Sequence, residues 1–416
     1  MLYDPARHEA PQAIDWDPDR AQGAIERIVR DTEAHLSERT WWPVHRRDVE
    51  PGDADVPSTT LYFGAAGVAW ALDHLRAIGA ARLSHDPLAH LDALLAANRE
   101  WLGANGFGHE SASYLMGDTP IEMMAYGDAR TEARADRLAA LISGNRDHPA
   151  RELMWGAPGT MLAALFLHER TGDARWAELF RDTAATLWSQ LEWSADHRCR
   201  YWTQDLYGRR TTYLDGVHGF VATASPLIRG RRLLGDADWA AWQQVIAETI
   251  ARTATREGSQ ANWRPLLDAP PPVPIVQFCH GAPGFVVCLG EMPGDELDPL
   301  LIAAGETIWA AGPLKKGSGL CHGTAGNGYA FLKLHRRTGD ARWLERARAF
   351  AMHGIAQTND EAARHGHMRH SLWTGDLGLA IYLWACLQAT AEFPTLDVFY
   401  ASGRPAPTGA PSAPAP

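Results

Sequence analysis

Two short strings place a thiol beside an imidazole: Cys279-His280-Gly281 and Cys321-His322-Gly323. Thiolate and imidazole together suit zinc, and three protein ligands with an open position make a catalytic centre, whereas four make a structural one. Successive side chains of a helix point about 100° apart, so an adjacent Cys and His reach one ion only where the backbone is irregular. The flanking glycines allow that. A third imidazole, in Val217-His218-Gly219, holds the position that His280 and His322 hold in their own strings. The set is two Cys and up to three His. Cys199, Cys288 and Cys386 lack such neighbours and read as small buried apolar side chains. His365, His367 and His370 lie outside the pattern and read as a solvated His-rich loop.

Both Cys-His strings belong to a repeat. Glycine motifs recur as FGAAG at Phe63 to Gly67, LMGDTP around Gly117, WGAPG at Trp155 to Gly159, DGVHG at Asp215 to Gly219, FCHGAPG at Phe278 to Gly284, LCHGTAG at Leu320 to Gly326 and LWTGDLG at Leu372 to Gly378. Most are followed by an apolar, helix-length run. The string RTGDARW then occurs twice, and Gly172, Gly235 and Gly339 each lie 16 residues after a motif glycine. Each unit reads as a buried helix ended by Gly at its C-cap, then an Asp N-cap and a second helix with one polar face. The spacing of 39 to 63 residues is too uneven for a uniform solenoid. The expected fold is therefore all-α: a closed α/α toroid of seven helical hairpins, with buried inner helices inside an outer amphipathic ring. Residues 1–60 form an N-terminal helical and loop segment packing on the barrel, and 61–401 form the toroid. The Pro/Ala-rich tail 402–416 reads as disordered. The Pro-rich run Asp268 to Val276 reads as a loop into the fifth motif.

Composition narrows the partners. Fifty acids against 39 bases give a net charge of -11 without a basic block, which speaks against nucleic acid or an anionic membrane. No apolar run is long enough to cross a bilayer, and the start has no signal-peptide pattern. Five Cys in 416 residues speak against a disulfide framework. A cytoplasmic monomer is expected. The 17 Trp serve mainly core packing.

These residues also carry a resemblance. KKGSGLCHGTAGNGYAFL at Lys315 to Leu332, QFCHGAPG at Gln277 to Gly284, SLWTGDLG at Ser371 to Gly378 and EFPTLD at Glu392 to Asp397 resemble motifs of the lanthionine synthetase C-like family, and of its eukaryotic-type members more than its lantibiotic cyclases. The resemblance spans Leu61 to Asp397. It implies a seven-hairpin toroid with zinc held by Cys279, Cys321 and His322, and a fourth position for water or a substrate thiol. The implied reaction adds a thiol, from glutathione or a peptide Cys, to dehydroalanine or dehydrobutyrine in a peptide or protein, giving a thioether. His218 matches the family's proton donor, and Lys315 with Lys316 matches a pair that holds a carboxylate of the thiol substrate. A solvated basic loop explains that pair equally well. The sequence departs from the family pattern at Ala222, where a glycine is expected, and at Ala157, where eukaryotic-type members tend to carry Arg. Three other readings compete: intramolecular cyclase, non-catalytic zinc scaffold, and toroid glycosidase or epimerase. The last would use Asp118 and Asp376, which occupy matching motif positions.

Overall fold

The computed structural model describes residues 1–37, 40–49, 58–268 and 274–401. Its α-helices are, in chain order, α1 Pro18–Ala34, α2 Ala65–Ala77, α3 Leu91–Ala104, α4 Thr119–Asp128, α5 Glu132–Gly144, α6 Ala157–Thr171, α7 Ala174–Ser189, α8 Phe220–Arg229, α9 Asp236–Thr253, α10 Ala282–Leu289, α11 Asp298–Ala311, α12 Thr324–Thr338, α13 Ala341–His365 and α14 Asp376–Gln388. The even-numbered helices close a ring: α2 packs on α4, then α6, α8, α10, α12 and α14 follow, and α14 returns to α2. This is the α/α toroid that the repeat implies. No helix among the described residues is long and apolar enough to cross a membrane.

Inner and outer helices differ as their sequences require. Every residue of α6 from Ala157 to Leu167 and of α12 from Thr324 to Leu334 is buried. In α7 the buried residues are Trp176, Ala177, Phe180, Thr183, Ala184 and Leu187, a single stripe of helical period. Gly172 and Gly339 end α6 and α12 in the left-handed region at φ 70° and 71°, and Asp173 and Asp340 cap the next helices. Gly235 departs from that expectation. It is the N-cap of α9, because α8 contains Pro226 and ends early at Arg229, followed by a 3-10 turn. The outer neighbour of α14 is α1, which packs against α14 and α13. The first helix of the chain thus completes the outer layer beside the last.

All seven motif loops lie at one end and are bonded to one another. Backbone N–H groups of Tyr62, Leu115 and Leu153 donate to the carbonyls of Leu115, Met154 and Val217, joining motifs one to four. Cys279 donates to Cys321, Cys321 to Trp373 and Trp373 to Tyr62, joining motifs five, six, seven and one. Between motifs four and five the link is Asp215 to His280. The second glycine of a motif is required by a close approach. A Cβ on Gly326 would lie 1.7 Å from the Leu320 carbonyl oxygen, and one on Gly284 would lie 2.1 Å from that of Phe278.

Three two-stranded antiparallel hairpins, outside the expected all-helical pattern, fill the loops after α7 and α9: β1 Glu192–Ser194 with β2 Cys199–Tyr201, β3 Gln204–Leu206 with β4 Arg209–Thr211, and β5 Ala254–Glu257 with β6 Gln260–Trp263. Tight turns at Tyr207-Gly208, both at positive φ, and at Gly258 make them. After α14 the chain runs across the ring: Phe393 stacks on Phe278 and Asp397 pairs with buried Lys333. Ser402 onward lies outside the described residues, as does most of the Pro-rich run before the fifth motif.

The same substitution should act with opposite sign at two glycines. Gly326→Ala is expected to destabilise by about 3 kcal/mol, since the new methyl must displace backbone. Gly23→Ala, in exposed α1 with open space around it, should stabilise by about 0.5–1 kcal/mol. Urea unfolding of both variants checks this, and equal midpoints would refute the close-approach account.

Candidate metal and proton-transfer site

The link between motifs five and six brings the two thiols together. Ligand atoms of Cys279, Cys321 and His322 all lie within 4.8 Å of one another, with both Cys buried and His322 half-buried. The neighbouring Cys321 and burial push the Cys279 thiol well above its ordinary pKa. Two sulfurs and an imidazole nitrogen at this spacing can share one metal ion. The donor set therefore fits a soft divalent ion, with zinc the commonest that takes two thiolates and an imidazole. Gln277 donates from Nε2 to Cys279 Sγ at 2.9 Å and accepts from Arg7 at 3.3 Å, so a cationic side chain stands one residue away from the thiols.

The two Cys-His pairs diverge at the glycine that follows. Gly281 has φ 105°, where Gly323 has φ −136°. In the first pair the imidazole turns from its own Cys: His280 Nδ1 contacts Asp215 Oδ2 at 2.7 Å. His218 is also held by a carboxylate, its Nδ1 2.8 Å from Glu152 Oε2. Neither joins the three-residue group. Burial opposes protonation of both rings, but the carboxylates outweigh it and raise each to about 9. Tyr213 lies between them, 5.7 Å from the His218 ring and 6.1 Å from that of His280, centroid to centroid.

Both carboxylates are fully buried and doubly used. Glu152 also accepts from the backbone N–H of Met154 and Trp155, and Asp215 from those of Val217 and His218. The motif register explains the pairing. Glu152 and Asp215 each stand four residues ahead of the N-cap glycine of their motif, and each grips the His one residue ahead of the next motif's glycine. Gln277 holds the same position in motif five. Asp215 stands ahead of the α8 N-cap Gly219 and turns the loop through the Val217 and His218 N–H groups; its bond to His280 and the whole role of Glu152 lie outside the sequence-based expectation. Alignment of the motifs on their glycines carries that signal.

His218 opens onto a cleft of about 1050 Å³ walled by Tyr62, Phe63, Trp101, Phe107, Trp155 and Tyr207. The indole N–H of Trp155 donates to Tyr207, which the β3–β4 turn carries over the opening. Burial and then the neighbouring Cys321 and Cys279 push the Tyr62 phenol well up, so this cleft wall reaches the thiols. Lys315 and Lys316 are exposed: Lys315 donates to the Ala6 carbonyl, and Lys316 forms no ion pair among the described residues. The proposed glycosidase acids are already committed. Asp118 pairs with Arg99 and Asn98, and Asp376 accepts from Ser318, Thr358 and the Arg369 backbone. The His-rich loop also differs from its expectation. His370 is 5% exposed and bonded to Asp31, because α1 covers the loop that precedes α14.

Comparison with known proteins agrees with this architecture. The family described as Lanthionine synthetase C-like protein matches residues 19–398. Glutathione S-transferase LANCL1 of Danio rerio is 38% identical over 130 residues, which are 30% of this chain and 32% of that protein. LanC-like protein GCL1 of Arabidopsis thaliana is 30% identical over 260 residues, 59% of this chain and 58% of that protein. The chain thus spans less than two thirds of either relative. Among solved structures, nisin cyclase superposes with a TM-score of 0.57 at 14% identity, covering 85% of this chain and 95% of that one, a likeness of fold. The chain belongs to the lanthionine synthetase C-like family.

Proposed function

We propose that the protein adds a thiol to dehydroalanine or dehydrobutyrine residues of a peptide or protein, with zinc held by Cys279, Cys321 and His322. The observation that carries this reading is the buried two-thiol, one-imidazole group beside a carboxylate-held His218 that opens onto an aromatic cleft. Three ligands leave a fourth position, and the commitment of His280 to Asp215 favours that count over a closed structural site. Bound there, zinc lowers the pKa of a fourth-position thiol so that thiolate is available at neutral pH.

The rest falls to the chain. The thiolate sulfur bonds to the β-carbon of the dehydro residue, and the alkene π pair moves toward the carbonyl as an enolate. His218, protonated at neutral pH through Glu152, gives its proton to the α-carbon. The proton released by the incoming thiol restores His218, so the addition balances without any other reactant. The aromatic walls hold the acceptor peptide by its apolar surface. Arg7, which reaches Gln277, and the exposed Lys315 and Lys316 offer basic groups suited to the carboxylates of glutathione, which favours a free cellular thiol over ring closure within one peptide. Such a thiol pool belongs to a reducing, cytoplasmic compartment, and all five Cys are unpaired.

Zinc analysis with mass spectrometry of a dehydroalanine peptide incubated with glutathione tests the reading. The wild type should carry about one zinc on these ligands and add one glutathione per dehydro residue, and Cys321→Ala should lose both. An acceptor peptide that loses its own free Cys without mass gain would make the protein a cyclase, and zinc without either product would overturn catalysis.

The proton donor predicts a pH signature. A His raised to about 9 is protonated below that value and loses the proton as pH rises through it, so kcat should fall on the alkaline side. Glu152→Gln removes the hydrogen bond and charge that do most to raise His218, leaving the smaller effects of Asp215 and Cys279 and the burial that lowers it. The alkaline fall should then move down by roughly 1–3 pH units; an unmoved limb would take the proton step away from His218. Lys316→Ala should raise the KM for glutathione about fivefold at nearly constant kcat. Lys315→Ala should do less, its amine being already engaged with Ala6; unchanged KM in both would remove these lysines from binding.

A further inference from the structure

A second group of metal-ligand side chains lies away from the thiols, where α1 meets the loop before α14. Asp31 and His35 stand one turn apart at the C-terminal end of α1, and His370 reaches them from the loop. One ligand atom from each of the three lies within 4.8 Å of the other two. His370 Nε2 is 2.8 Å from Asp31 Oδ2, and the His35 and His370 rings are 5.0 Å apart. The His370 side chain is 1% exposed, and its Nδ1 is buried with no hydrogen-bond partner among the described residues. His367 stands 6.0 Å from the His370 ring, with its Nδ1 at the Met368 carbonyl. His45 is buried beside His365 and His367.

Two imidazoles and a carboxylate whose ligand atoms converge at one partly buried junction, with a buried ring nitrogen left without a partner among the described residues, form a cation-ligand set. We propose that Asp31, His35 and His370 bind a second divalent transition-metal ion, with His367 placed to join them. Two imidazoles and a carboxylate form a harder donor set than the thiol group, so the two sites are chemically distinct.

The position gives the ion a task. α1 and α14 are joined across nearly the whole length of the chain, and a shared cation fastens that joint. The adjacent Arg369 makes a two-pronged ion pair with Asp48, through Nε to Oδ2 at 2.7 Å and through Nη2 to Oδ1. Asp48, with Val44 and Val49, forms one edge of the aromatic cleft. A cation at the junction therefore steadies the loop from which that edge is held.

Cobalt(II) titration of the metal-free protein reads the two sites apart, because thiolate ligation gives an intense near-ultraviolet charge-transfer band that imidazole and carboxylate do not. The wild type should take up about two cobalt per chain. Cys321→Ala should keep about one, without the band. His370→Gln and His35→Gln should keep about one with the band intact. His35 is half-buried on α1, so its variant carries the test if His370→Gln fails to fold. Cobalt or zinc should also raise the melting temperature of Cys321→Ala, and should not raise that of Cys321→Ala/His35→Gln. One cobalt in the wild type, unaffected at His35 and His370, would overturn the second site while leaving the first intact. One cobalt in the wild type, without the band and lost in His35→Gln, would refute the thiol site and keep this one.

Discussion

The close approach of each inner helix to the loop that starts it is the constraint on which the rest depends. Where the second glycine of a motif stands, a side chain would overlap a carbonyl six residues earlier. The loop must therefore fold tightly against the first turn, and every inner helix begins at the same height. Seven such loops at one height can bond edge to edge. That ring, made of backbone bonds except for the Asp215–His280 link between motifs four and five, sets Cys279 beside Cys321 and the carboxylate of one motif under the imidazole of the next. Precision in the site comes from the packing of backbone on backbone, which no flexible side chain could supply.

Electrostatics then divides the site into two halves. On one side, two buried sulfurs and an imidazole converge as a metal-ligand group, with the Cys279 thiol pushed well up by Cys321 and burial. On the other, buried carboxylates hold two imidazoles in their charged form. Glu152 and Asp215 lie beneath the rings, each fixed by two backbone N–H groups as well as by its imidazole. The arrangement gathers electron density where a thiolate would form and protons where an enolate would need them.

Much of this was legible in the residues. The repeated glycines, the RTGDARW strings and the doubled Cys-His pattern imply the toroid and a cluster of two Cys and up to three His, while the choice of His322 beside Cys279 and Cys321 comes from the family resemblance. What escaped is non-local. Glu152 meets His218 from the preceding motif, and α1 meets α14 from the opposite end of the chain, so no local pattern reports either. The divergence of His280 from His322 rests on one backbone angle, φ 105° at Gly281 against φ −136° at Gly323, in strings whose residues look alike. His370 was read as solvated because nothing nearby in sequence announces the helix that buries it.

The pairing of α1 with α14 bears on how the molecule is made. During synthesis α1 emerges with an apolar face whose partner α14 is made only after α2 to α13, and α2 likewise needs α14 to close the ring. The segment that crosses the ring through Phe393 and Asp397 comes later still. Hairpins in between can form as they appear, but closure is a late, long-range event with a large loop entropy to overcome. Until α14 is made the ring is an open arc with unpaired apolar edges, a state that favours chaperone capture and makes α14 decisive for closure.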